Sequence, residues 1–227
     1  MSDAPAPLVI VRNARARTMR LSVDPRDGRV RLTLPARASL RSALAWAEEK
    51  RGWIAEQRAR IAAPRPFAPG ARIPFGDVEL ALAWSEAGPR TPRREGDALI
   101  CGGPREGFER RIERWFKREA LALLSAETTE FADRAGVRVA SVGIGDPRSR
   151  WGSCASSGAI RYSWRLVMAP EYVRRATVAH EVAHRVHMNH GAAFHRLVEL
   201  LLESDPAPAR TWLRRNGAAL HRIGRHS

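Results

Sequence analysis

Thr177-Val178-Ala179-His180-Glu181-Val182-Ala183-His184-Arg185-Val186 sets the pattern His-Glu-x-x-His inside an otherwise apolar, helix-compatible run. On a helix, residues four apart lie about 40° apart around the axis and roughly 6 Å along it, so His180 and His184 reach a common ion. Glu181, rotated by about 100° from His180, brings its carboxylate beside that ion and not onto it. Zinc held by neutral nitrogens with one open position lowers the pKa of its water to about 7, and a neighbouring carboxylate takes the proton as the water attacks a carbonyl. The spacing therefore predicts metal-assisted hydrolysis, with His180 and His184 as metal ligands and Glu181 as the catalytic base. The plain alternative is two satisfied core histidines and a paired glutamate. The apolar flanks Val178, Val182, Ala183 and Val186 weigh against it, because a buried carboxylate between two imidazoles is costly unless something compensates it.

The 227 residues, 44% of them hydrophobic, suffice for one large or two modest domains with a sizeable core. There is no apolar run of about 18 residues, and residues 1–7 lack a basic and then an apolar region, so neither a membrane span nor a signal peptide is expected. The expected compartment is the cytoplasm. Cys101 and Cys154 are the two cysteines, which excludes a disulfide scaffold and a Cys-rich zinc site. The formal net charge of +15 raises nucleic acid as a partner through counterion release. Yet the cations are nearly all arginine and strewn along the chain, and charge alone bounds solubility and association, not chemistry.

Period-two alternation predicts strands over 8–12, 17–23 and 29–34, read as an antiparallel meander whose last turn is Asp24-Pro25-Arg26-Asp27-Gly28. Ser39 caps a single expected helix running to about residue 62. Strands follow at 72–75, 78–84 and 98–101, with the polar stretch 86–97 read as a mobile loop. Beyond Gly102-Gly103-Pro104 the pattern turns helical, with Phe108, Ile112, Trp115, Phe116, Ala120, Leu121 and Leu124 on one face and Gly136 at the end. A strand over 137–144, a hairpin over 148–164 and Pro170 then lead into the helix of the His pair.

Arg150-Trp151-Gly152-Ser153-Cys154, Trp164-Arg165-Leu166, Ala169-Pro170, the His180 to His184 motif and Asn189-His190-Gly191-x-x-Phe194 together resemble the YgjP-like family of metal-dependent hydrolases, relatives of the SprT-like and WLM peptidases. The resemblance covers most of the chain and is most specific over 148–195. It departs at His195, where many members carry Trp. It implies a zincin metallopeptidase with the His of Asn-His, here His190, as third metal ligand. Spacing agrees: on a straight helix His187 lies about 10 Å along the axis from His180, whereas His190 precedes a glycine where the chain can fold back. Glu199 and Glu203 remain open as oxygen ligands of a His₂Glu site. His187 and His195 read as surface or cap histidines, and Cys154 has no partner histidine at a diagnostic spacing.

The expectation is an α+β protein with a β-rich N-terminal domain carrying one helix (1–104) and a zincin-like, mainly helical domain with a small antiparallel sheet (105–227). The expected cofactor is Zn²⁺. Arg150, Trp151, Gly152 and Ser153 are the expected substrate-binding residues, on an edge strand where Gly152 admits close backbone approach and a peptide adds as a strand. Their plain reading is hairpin packing with solvated arginine. The leading substrate is a polypeptide. A nucleotide pyrophosphate hydrolase would use Arg148, Arg150, Arg161 and Arg165 to hold phosphates. A basic nucleic-acid-binding module with a structural metal is the third reading. The sequence does not specify an oligomeric state.

Overall fold

Val30, Leu32 and Leu34 point one way and Arg31 and Thr33 the other, which makes β3 (Val30–Pro35) a half-buried strand. The computed structural model describes residues 8–225, and in it β3 is the middle strand of the first sheet. β2 (Arg20–Val23) pairs with it antiparallel, while β1 (Leu8–Asn13) pairs with it parallel. The expected meander is thereby corrected. A meander would centre β2, which buries no residue fully, whereas the strand with a completely buried face takes the middle. The hairpin turn is as expected, with Gly28 at φ +72 and the Gly28 N–H donating to the Asp24 carbonyl at 2.8 Å.

Ser39 caps α1 (Leu40–Glu49), its hydroxyl accepting from the Ser42 N–H at 3.3 Å. The single helix expected here is broken at Lys50 (φ −90, ψ 11), and α2 (Arg51–Ala59) follows. Gly52 lies just past the break, where glycine supports a helix poorly. Leu32, Leu34, Ala43 and Ala47 form the core of this part, which ends at Ala63 as a compact unit.

The second unit begins at Pro64. Its first sheet has the order β4 (Arg72–Phe75), β5 (Val78–Trp84), β7 (Ala98–Cys101), β6 (Arg93–Glu95), with β5 and β7 parallel. β6 occupies the stretch expected to be a mobile loop. Its Arg-Arg-Glu sequence is exposed throughout and carries no alternation to read. The long α3 (Phe108–Ala135) buries Phe108, Ile112, Trp115, Phe116, Ala120 and Leu124, and ends on Gly136 at φ +64. Leu121, expected on that face, is exposed.

Ile73, Leu80, Leu82 and Leu99 of the sheet belong to the same core as Phe116 and Leu124 of α3. The change of pattern at Gly102-Gly103-Pro104 therefore falls inside one compact unit, and the boundary in the chain lies between Ala63 and Pro64. Periodicity reports secondary structure, while shared burial defines a unit.

The second sheet has the order β8 (Ser141–Gly145), β10 (Ala159–Ser163), β9 (Gly152–Cys154). β9 pairs antiparallel with β10 and stands at an open edge; β8 pairs parallel. Helices α4 (Glu171–Ala183), α5 (Ala192–Leu202) and α6 (Ala207–Leu220) complete an α+β architecture. Among the described residues, no helix is long and apolar enough to cross a membrane.

Candidate metal centre

α4 is held in the core by Val173, Val178, Ala179, Val182 and Ala183, none of which is exposed. This seating leaves His180 and His184 half-buried at the rim of the core. The helix stops at His184, which caps its C-terminus, and the chain turns through residues 185–191 before α5 begins. His190 is returned by that turn. Its Nε2 stands 3.2 Å from His180 Nε2, and one nitrogen of each of His180, His184 and His190 lies within 4.8 Å of the others.

Phe194, buried on α5, floors the group. Its ring centroid is 4.9, 4.6 and 4.8 Å from those of His180, His184 and His190. His184 Nδ1 lies 3.1 Å from the His187 carbonyl oxygen. A carbonyl only accepts, so Nδ1 carries the proton and Nε2 keeps its lone pair for a metal. Burial lowers the pKa of His180 to about 4, with His184, His190 and Arg210 adding to the effect, and burial lowers that of His184. Both rings are thus neutral, which is the form that ligates.

These residues fit a zinc ion. Two nitrogens at Zn–N distances of about 2.0–2.1 Å in a tetrahedral arrangement are separated by roughly 3.4 Å, and the His180–His190 spacing is 3.2 Å. Three imidazoles also suit other first-row metals. His187 and His195 lie outside the group; His187 serves through its carbonyl, and the His195 ring is 6.4 Å from that of His190. Glu199 is exposed and Glu203 pairs with Arg134. Neither joins the three histidines.

Glu181 is 6% exposed, and burial pushes its pKa up to about 7 against the opposing charge of Arg150. It lies directly under β9. A Cβ at position 152 would stand 2.4 Å from Glu181 Oε1, so only glycine lets the strand approach this closely. Arg150, Trp151 and Gly152 line a cavity with His180 and Glu181, whereas Ser153 faces a second cavity shared with Arg161 and Tyr162. Burial raises the pKa of the half-buried Cys154 thiol despite a hydrogen bond from Arg185. The thiol form therefore prevails there.

Trp151 is braced from behind: its ring lies 5.1 Å from that of His221, and a Cβ on Gly217 would come 2.7 Å from its Cζ2. Arg165, a candidate phosphate ligand by sequence, is 2% exposed and fully engaged. It donates from Nε to Asp146 at 2.7 Å and from Nη1 to the Leu220 and Ile223 carbonyls at 2.7 Å each. It ties the loop before β9 to the end of α6.

Sequence reasoning did not anticipate the Phe194 floor, this brace, or Arg210, which lines the cavity from α6. Phe194 belongs to the Asn-His-Gly-x-x-Phe motif, but no spacing rule connects Arg210 to residues about thirty positions earlier. A family model described as YgjP-like, metallopeptidase domain, matches residues 17–216. No curated protein and no solved structure matches the chain.

Proposed function

Because the chain belongs to the YgjP-like metallopeptidase family, a family of metal-dependent hydrolases, we propose that it is a zinc peptidase in which His180, His184 and His190 hold the ion and Glu181 is the general base. The observation that carries this reading is the convergence of three imidazole nitrogens within 4.8 Å beside a buried carboxylate. When bound, zinc polarises water and the carbonyl under attack. Glu181 takes the proton of the attacking water at one carboxylate oxygen and hands it to the departing amine nitrogen. Burial raises the Glu181 carboxyl toward the proton-accepting range, while Arg150 opposes the rise.

β9 supplies the rest. As an edge strand it offers unpaired backbone groups to an extended peptide, which would add antiparallel or parallel to it across the mouth of the site. Gly152 sets how closely that peptide approaches Glu181. The engagement of Arg165 with Asp146 removes one of the four arginines that a pyrophosphate-hydrolase reading needs, which favours peptide bonds.

The test is cleavage of an unfolded polypeptide by zinc-loaded protein. Cleavage that is abolished by a chelator, restored by zinc and reduced about 10²-fold or more in Glu181→Gln is expected. Hydrolysis of nucleoside triphosphates, lost in the same variant and without peptide cleavage, would replace this reading by the pyrophosphate one.

A further inference from the structure

Beside Glu181 the surface opens into a cavity of about 280 Å³. Its inner wall is apolar, formed by Ala176, Val198, Pro206 and Ala209, all buried. The exposed members of its lining are two arginines, Arg150 in the loop just before β9 and Arg210 on α6. Among the described residues neither guanidinium has a carboxylate partner within ion-pair distance. Elsewhere in the same unit Arg165, Arg174 and Arg175 each pair with one. Within the site Arg150 favours the charged form of Glu181, and Arg210 disfavours the protonated form of His180.

An apolar wall ending in two unpaired guanidiniums is complementary to an aliphatic stem ending in an anion. Guanidinium forks bind carboxylates with directed, charge-assisted hydrogen bonds. About 280 Å³ gives room for one aliphatic side chain with its terminal anion. His180 and Glu181 line the same cavity, so that residue adjoins the bond being broken.

We propose that this cavity is a specificity subsite that takes a carboxylate-bearing residue of the substrate next to the scissile bond, with Arg150 and Arg210 holding the carboxylate. The proposal rests on the peptidase reading above and names its substrate class. The same chemistry belongs to an internal Glu or Asp and to a C-terminal residue.

Binding is measured by calorimetry on zinc-loaded Glu181→Gln protein with four matched peptides. One carries an internal Glu and one Gln in its place, both with amidated ends; a pair of shorter peptides ends at the same position as free acid or as amide. A carboxylate-bearing peptide is expected to bind about tenfold or more tightly than its neutral counterpart. That advantage is lost on adding Arg210→Gln or Arg150→Gln and kept on adding Arg215→Gln, a charge control on α6. Which acid gains identifies the source of the carboxylate. Equal binding of all four peptides, or an advantage that survives both substitutions, overturns the subsite, as does tighter, arginine-dependent binding of a nucleoside triphosphate. Cleavage by the wild type without preference for acid sinks the subsite and leaves the peptidase reading standing. Acid-dependent binding with no cleavage by the wild type sinks the peptidase reading, and with it the subsite, leaving a carboxylate-binding cavity only.

Discussion

Gly152 and Glu181 touch across the site: a Cβ on the glycine would meet Glu181 Oε1 at 2.4 Å and Cγ at 2.6 Å. The backbone of β9 therefore sets the position of the carboxylate, and a methyl group there must push one of them aside. Gly152→Ala is expected to keep the metal and to lower kcat by about 10²-fold, the usual effect of misplacing a reacting group by about an ångström. Turnover measured beside metal content checks this. Unchanged kcat would mean that the carboxylate works from another position.

The His190 nitrogen stands 3.2 Å from that of His180, while His187 and His195 stay outside the group. His190→Ala should weaken zinc affinity by several orders of magnitude, and His195→Ala should leave it nearly unchanged. His187→Ala should also be mild, because His187 serves His184 through its backbone carbonyl. Competition with a metal-sensitive chelator reads all three. Loss of zinc in Glu199→Ala or Glu203→Ala instead would make the site His₂Glu.

Arg174 and Glu127 form a buried pair between α4 and α3, with Arg174 Nε donating to Glu127 Oε1 at 2.9 Å and both side chains 9% exposed. Burial pushes the Glu127 carboxyl up even though Arg174 opposes it. Desolvation thus outweighs the attraction. Arg174→Met should cost about 3–5 kcal/mol by stranding the carboxylate, and the double change Glu127→Leu with Arg174→Met should recover most of that. Chemical denaturation of both variants decides it, and a double variant as unstable as the single one would refute the argument.

Asp146 accepts from Arg165 at 2.7 and 3.1 Å and from Arg225 at 3.1 Å. Burial pushes its carboxyl up, but Arg165, joined by Arg225 and His221, outweighs burial and holds it below the usual carboxylate range. A carboxyl lowered on folding adds stability that is fully present above its unfolded pKa and lost as pH falls through the folded one. Asp146→Asn should therefore melt a few degrees below the wild type at pH 7, and the gap should close on acidification below about pH 4. Thermal melts across that range test the sign; a gap that widens in acid would be the wrong one.

Much of the fold was legible because local physics dictated it. The apolar face of α3, the αL glycine that ends it, the Ser39 cap and the Gly28 turn each depend on a few adjacent residues. β6 was not legible, because a polar edge strand is defined by its partner and not by its own pattern. The parallel pairing of β1 with β3 and the sharing of one core by the β4–β7 sheet and α3 escaped for the same reason.

At the site the division is similar. By itself the sequence determined the helical spacing of His180, Glu181 and His184, since 3.6 residues per turn sets which side chains share a face. It also placed a turn before Gly191. Only the tertiary structure decided that this turn carries His190 to within 3.2 Å of His180, that Phe194 floors the three rings, and that Gly152 presses on Glu181. It alone brought Arg210 and Arg150 into the lining of one cavity. Those relationships join residues on different elements, and their distances come from how α4, α5, α6 and β9 pack around a common core, which no local periodicity encodes.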